Sequence, residues 1–229
     1  MPTPNNEPYI PMKCYGFALD PIHVGAGGYR IGRVDNTIVR DPATQLPKIP
    51  GTSIAGVCRA YSAMAFDNNP TNSEKPKKYL RKETINGKEK TLSCAGKDDK
   101  DGNGHCGEKD CPICITFGYS KKEKSFQGLA QFTDALILFL PVHTAVGTLW
   151  MTSPSCLGLT KITYCKSGES EEGEIAVSKS VYDKLGEGKQ LNLGWVMFTA
   201  ENGEISLVPD IPWKSKIEEN FAIVSDGIF

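Results

Sequence analysis

The sequence predicts an α+β domain, read as a single domain over residues 1–229, and three observations carry that reading. Short apolar runs bounded by Gly, Pro and Asp mark strands. One stretch beginning at Thr52 or Ser53 has helical spacing. Two polar segments, residues 67–114 and 153–175, interrupt the apolar pattern as long insertions, and no internal repeat is present.

Taken in order, residues 13–19 read as a first strand that Asp20-Pro21 ends. The glycine cluster His23-Val24-Gly25-Ala26-Gly27-Gly28 follows, giving the backbone positive-φ freedom and letting another chain approach closely. Residues 33–40 alternate as a short exposed strand, and Asp41 to Gln45 form a turn. The helix then carries Ile54, Val57, Cys58, Tyr61, Met64 and Ala65 on one face, with Arg59 on the polar side. After the lysine-rich insertion, strands are expected over 128–133, 135–142 and 148–152. A short helix over 176–185, a hairpin of 195–199 with 205–208 around Asn202-Gly203, and a final helix over 214–223 complete the reading. Cys14 and Cys58 sit in apolar surroundings like small core residues, as do Phe132, Trp150 and Met151.

Composition bounds the function. With 229 residues, 39% hydrophobic and 23% charged, the chain is neither disordered nor collagen-like. Apolar runs such as 135–142 fall far short of the roughly 20 residues that span a bilayer, and the N-terminus lacks a basic flank and apolar stretch. A cytoplasmic protein with no membrane partner is therefore expected. The net charge of -1, from 26 basic and 27 acidic residues, means that any polyanion must be held by a local patch.

The strongest chemical signal is Cys106-x4-Cys111-x2-Cys114, preceded by Cys94 and His105, in a segment with little else to order it. Thiolates and imidazole bind zinc tetrahedrally, and coordination energy substitutes there for a missing core. Cys94 completes a four-thiolate site; His105 in its place gives three thiolates and one imidazole. The sequence does not choose between them. Four protein ligands close the shell, so the role is structural. A second group is the glycine loop with Arg33, Asp35 and Arg40, where Arg neutralises phosphate and a carboxylate binds a metal or orients a hydroxyl. On residue chemistry alone, a turn-forming Asp is the plainer account of Asp35. The third is Pro50-Gly51-Thr52-Ser53 at the helix start, a phosphate cradle or simple capping, with Arg59 further along.

In this order the segments resemble the RAMP superfamily backbone subunits of type III CRISPR effectors, the Cmr subtype most, with Csm-like features. The matching residues are His23-Val-Gly-Ala-Gly27, Gly32-Arg-Val-Asp35-Asn-Thr-Ile-Val-Arg40-Asp41, residues 46–59, Ile115-Thr-Phe-Gly118, Gly128-Leu-Ala-Gln-Phe-Thr-Asp134-Ala, Leu140-Pro-Val and Met151-Thr-Ser-Pro154. The resemblance implies a modified ferredoxin-like (RRM-like) fold with a zinc-binding insertion and a thumb-like hairpin insertion, stacking along a crRNA guide beside copies of itself and other type III effector subunits. It implies cleavage of complementary target RNA at regular intervals, dependent on a transient Mg2+ or Mn2+, with Asp35 as the catalytic aspartate. His23, Gly25, Gly27, Gly28, Arg33, Arg40, Gly51, Thr52, Ser53 and Arg59 become the RNA-binding candidates. The alternatives are a catalytically silent RNA-binding backbone subunit, or a metal-independent guide-processing ribonuclease with His23 as base. The chain departs from the family at Ala55, where a lysine is common, and at His143 and Val146, where basic residues are. It also ends at Ser225-Asp-Gly-Ile-Phe229, where the family continues, so the C-terminal part of the domain is expected to be missing or supplied by a neighbour.

Overall fold

Gly51 sits where a side chain has no room: a Cβ there would run into the backbone of Phe132 and Thr133. Glycine lets the chain pass directly from β1 (Lys48–Ile49) into α1 (Gly51–Asp67), within one or two residues of the predicted start. This computed structural model describes residues 9–27, 37–67, 80–85, 87–94, 105–106, 108–121, 124–160, 162–166, 173–206 and 213–229. The chain forms two compact units, Met1–Ala135 and Leu136–Phe229, where the sequence reads as one domain. No helix among the described residues is long and apolar enough to cross a membrane.

In the first unit the 67–114 insertion contains an antiparallel hairpin, β2 (Leu80–Ile85) with β3 (Lys88–Ser93), turning at Gly87. α2 (Pro112–Phe117) begins on Cys111 as N-cap, with Pro112 at the first helical position, where its missing N–H costs nothing. It leads into the hairpin of β4 (Tyr119–Lys121) with β5 (Lys124–Phe126). The chain then doubles back on itself: Gly118, at φ 78°, and Gly128 approach so closely that a side chain at either would strike the other's backbone. β6 (Ala135–Leu136) pairs with β1 and carries the chain out of this unit.

Four expectations for this unit are corrected. Residues 13–19 form no ladder among the described residues, although Tyr15 and Phe17 alternate as half-buried positions. Residues 128–133 are not a strand either, because the N–H groups of Leu129 and Ala130 are spent on the carbonyls of Ile115 and Thr116 at the end of α2. The predicted apolar face of α1 is largely exposed, Tyr61 at 70% and Val57 at 57%, and the helix buries Ala63 instead. Cys14 is exposed and Cys58 half-buried, so neither is a core residue.

The second unit is a seven-stranded mixed sheet. β7 (Leu140–Thr144) and β8 (Gly147–Thr152) form a hairpin, followed by α3 (Pro154–Gly158), β9 (Thr163–Lys166), β10 (Glu174–Ser178), α4 (Lys179–Lys184), β11 (Gln190–Leu193), β12 (Val196–Ser206), α5 (Lys214–Glu218) and β13 (Phe221–Ile223). The spatial order is β11-β12-β10-β13-β8-β7, with β9 also on β12. Pairing is parallel between β10 and β12 and between β13 and β8, and antiparallel elsewhere.

Alternation along the central strands sorts the core onto two faces. Ile175, Val177 and Ala222 face a cluster that Val181 and Leu185 of the α4 region complete. Ala176, Phe221 and Ile223 face another, filled by Leu157 of α3 and Ile217 of α5. Buried on both sides, these strands read as continuous apolar runs, which sequence spacing does not separate from helix. Hence the predicted helix over 176–185 is β10 followed by α4, divided at Ser178, whose side chain accepts the Val181 N–H as N-cap. Likewise the final predicted helix stops at Glu218, and Phe221 to Ile223 are β13. The expected hairpin at Asn202-Gly203 is one straight strand, since β10 holds residues 199–203 on one side while β11 and then β9 occupy the other.

The elements from β10 to β13 follow the β-α-β-β-α-β order. They differ from an RRM-like sheet in the parallel β10–β12 pair and in having α4 and α5 on opposite faces. The described part of 153–175 is built into this unit: Cys156 and Leu157 are buried, and β9 extends the sheet along β12. Residues 167–172 lie outside the described residues.

Candidate functional site

A short ladder gathers several of the candidate RNA-binding residues. The Ala26 N–H donates to the Thr37 carbonyl at 2.7 Å and the Val39 N–H to the Val24 carbonyl at 2.9 Å, bridging Gly25 to Ile38. On the other side the Lys48 N–H donates to Val39 at 3.2 Å and the Asp41 N–H to Leu46 at 2.8 Å. The glycine loop, the strand through Arg40 and the segment that enters α1 are thus neighbours. His23, Gly25, Gly27 and Arg40 are exposed on this ladder, and Arg40 Nη1 donates to the Gln45 carbonyl at 2.8 Å. Gly28, Arg33 and Asp35 lie outside the described residues, between positions 27 and 37, which the ladder brings together.

Lys48 and two carboxylates fix the base of this ladder. Lys48 Nζ lies 2.6 Å from Asp134 Oδ2 and 3.5 Å from Asp41 Oδ2. Asp134 Oδ1 accepts the Gly51 N–H at 2.9 Å, placing a carboxylate at the positive end of α1. The Lys48 hydrogen bond and then the Gly51 N–H hold the Asp134 carboxyl below its ordinary value, and the same contact raises Lys48. Asp41 is lowered chiefly by the Thr44 and Ala43 N–H groups, which its Oδ1 caps at 3.1 and 3.0 Å. Gly51 is therefore buried with its N–H already engaged, while Thr52 and Ser53 are exposed. A phosphate approaching this helix start would meet the two hydroxyl residues, not Gly51. Sequence reasoning missed the Asp134 role: Asp134 was visible only as part of a motif, and its partners lie on a distant segment of the chain.

The cysteines converge. The sulfur atoms of Cys94, Cys106, Cys111 and Cys114 all lie within 4.8 Å of one another, with Cys106 Sγ 3.7 Å from Cys114 Sγ and Cys111 Sγ 4.0 Å from Cys94 Sγ. A tetrahedral zinc with Zn–S bonds of about 2.3 Å sets its thiolates about 3.8 Å apart, so the four residues fit that ion. Local structure explains the convergence. β3 delivers Cys94, and α2 offers Cys111 as its N-cap and Cys114 one turn on, the Cys114 N–H donating to Cys111 Sγ at 3.5 Å. With Ala63 and Ile113 these thiols form the small core of the unit. His105 is not among the four; its Nδ1 is 2.9 Å from Arg59 Nη2.

The thiols are unequal. Burial raises Cys94 to about 11, and burial likewise drives Cys111 far up. Burial opposes ionisation of Cys106 as well, but the Glu108 N–H and the neighbouring thiols outweigh it and leave that group below its ordinary value. The site favours ionisation of Cys106 over that of Cys94 and Cys111, and a bound dication would hold all four as thiolates.

Arg59 is not where the sequence suggests. Its Nε donates to the Cys94 carbonyl and its Nη2 to His105, so the guanidinium faces the cysteine centre. His143 is exposed near the end of β7.

Fold and motifs together define a class: the chain belongs to the RAMP superfamily, whose family model matches residues 18–218. Among its relatives, the CRISPR system Cms endoribonuclease Csm3 of Enterococcus italicus is 47% identical over 47 residues, 20% of this chain and 22% of that protein. The Csm3 of Methanothermobacter thermautotrophicus is 44% identical over 48 residues, 20% of each chain. The match thus spans about a fifth of the length of these curated relatives. Among solved structures, a Cmr4 has a TM-score of 0.49 at 19% identity, covering 92% of this chain and 67% of its own. The oligomeric Cmr4 of Pyrococcus furiosus has 0.45 at 17%, covering 84% and 64%.

Proposed function

We propose that the protein is a crRNA-binding backbone subunit of a type III CRISPR effector that cleaves complementary target RNA through Asp35. The observation that supports this most is the family match across most of the chain together with local identity to proteins named CRISPR endoribonucleases. The ladder adds to it, since it makes neighbours of the glycine loop, the strand through Arg40 and the segment that enters α1. In this reading His23, Gly25, Gly27, Gly28, Arg33, Arg40, Thr52 and Ser53 line the guide path, the glycines allowing close backbone approach to phosphates.

In the reaction the target's own 2′-oxygen attacks the adjacent phosphorus, the P–O5′ bond breaks, and the 2′ proton leaves as the 5′ oxygen gains one. A divalent ion, Mg2+ or Mn2+, would neutralise charge on the phosphate, and the Asp35 carboxylate would hold that ion or orient the hydroxyl. Separately, Cys94, Cys106, Cys111 and Cys114 would hold one structural Zn2+, which orders the 67–114 insertion. A thumb-like role for the 153–175 insertion belongs to the same proposal.

The test is the RNA that the purified protein carries with its partner subunits. RNA of one defined length is expected, and addition of its complement together with Mg2+ should give fragments at a regular spacing. Heterogeneous cellular RNA, or none, would remove guide loading. A uniform RNA with an intact target would leave the silent-scaffold reading in front. Because a strong chelator would also draw on the four-thiol centre, dependence on the catalytic ion is read by withholding and restoring Mg2+ or Mn2+.

A further inference from the structure

Arg59 and His105 are the polar side chains that meet at the four-thiol centre without supplying a sulfur. Arg59 stands in the middle of α1, half-buried, and its two N–H arms diverge to different targets: Nε to the carbonyl of Cys94, Nη2 to Nδ1 of His105 at 2.9 Å. A guanidinium has no acceptor, so His105 Nδ1 accepts and its proton resides on Nε2. Cys94 and His105 flank the long polar part of the insertion, and Cys106 follows His105 directly. One side chain on a regular helix therefore pins both ends of the excursion, beside the ligand at each end.

We propose that Arg59 is a positioning residue of the metal centre rather than a guide-phosphate contact: through the Cys94 carbonyl and His105 it holds Cys94 and Cys106 in the geometry that the ion requires. This rests on the zinc reading above. Partners outside the ligand set that orient the ligands are worth about 10–100-fold in metal affinity. Arg59 also brings a positive charge to a centre whose four thiolates exceed the charge of a dication. Through it the helix α1, which the chain enters from Lys48 on the ladder, is joined to both ends of the excursion.

Geometry and charge predict different substitution patterns. A phosphate contact retains much of its function in Arg59→Lys, which keeps the charge. A two-armed clamp does not, since an ammonium on a flexible stem lacks the planar fork. The experiment measures zinc affinity of the full chain by competition with a chromophoric chelator, using Zn2+ alone as probe, for wild type, Arg59→Lys, Arg59→Ala, His105→Asn and His105→Leu. Both Arg59 variants should lose about 10–100-fold. His105→Asn, whose side-chain oxygen can accept in place of Nδ1, should stay nearer wild type than His105→Leu. The His105 pair keeps the test open if the Arg59 variants do not fold. If wild type takes up no zinc, the zinc reading itself falls. If wild type binds zinc and the Arg59→Lys and His105→Leu proteins bind it equally tightly, the positioning role falls alone.

Discussion

A single carboxylate, Asp134, decides how the chain enters its longest helix. It accepts the Gly51 N–H and pairs with Lys48, and it is exposed enough that its worth lies in geometry more than in burial energy. Its pKa lies below the ordinary 3.8, the Lys48 hydrogen bond being the main cause. A depressed carboxylate contributes stability that is present above the unfolded-state value and is lost as pH falls through the folded value. Asp134→Asn keeps an oxygen for Gly51 but removes the charge opposite Lys48. Wild type should therefore melt higher than the variant near pH 6, and thermal melts should show the gap closing as pH drops below about 4. A gap that persists undiminished in acid would assign the effect to packing instead. Asp226 is built similarly: its carboxyl, lowered mainly by hydrogen bonds from Ser153 and Ser155, takes the Ser155 N–H at 3.0 Å and Oγ at 2.7 Å at the start of α3.

At the scale of elements, the 67–114 insertion stands or falls with its thiols, since its buried groups among the described residues are the cysteines and Ile113, packed with Ala63 of α1. Cys111→Ser removes a ligand while leaving a hydroxyl that can still cap α2, so the substitution isolates the loss of the thiolate. The variant should lose nearly all of the one zinc ion per chain, and hydrogen exchange should accelerate across β2, β3 and α2. The second unit, whose two apolar clusters are made from its own residues, should stay protected. Wild type should release the ion as pH falls from 7 towards 5, because protons then compete for the thiolates. No zinc in freshly purified wild type would end this account.

The cysteine centre was legible in the sequence because its spacing is local, and so were the start of α1, the Asp41 turn and β8, each set by a capping group, a turn residue or a short apolar run. What was not legible depends on distant partners. Gly203 looks like a turn until strands on both sides hold it straight; Phe221 to Ile223 look helical until β8 and β10 flank them. That Cys94, and not His105, lies with the other three cysteines depends on how β3 meets α2, which no spacing rule supplies.

At the scale of the whole molecule, a net charge of -1 leaves no long-range field to hold RNA, so affinity must be spread along a local path of backbone amides and a few arginines. One carboxylate such as Asp35 contributes little to that path and, being negative, cannot strengthen it. Its removal should accordingly separate chemistry from assembly. In a complex loaded with guide and complementary target at equal occupancy, Asp35→Ala should cut at least about 100-fold more slowly than wild type, the loss expected when a positioned catalytic group is removed, while guide and target affinities change less than about threefold. In the proposed reaction the nucleophile belongs to the target, so a single 2′-deoxy sugar should block its own site and no other, and the products should end in 2′,3′-cyclic phosphate. The combination is what discriminates. Undiminished cutting by Asp35→Ala with the deoxy block intact would keep 2′-hydroxyl attack and move the catalytic role to another group, such as His23. Cutting that passes a deoxy site would exclude the internal nucleophile, whatever Asp35 does.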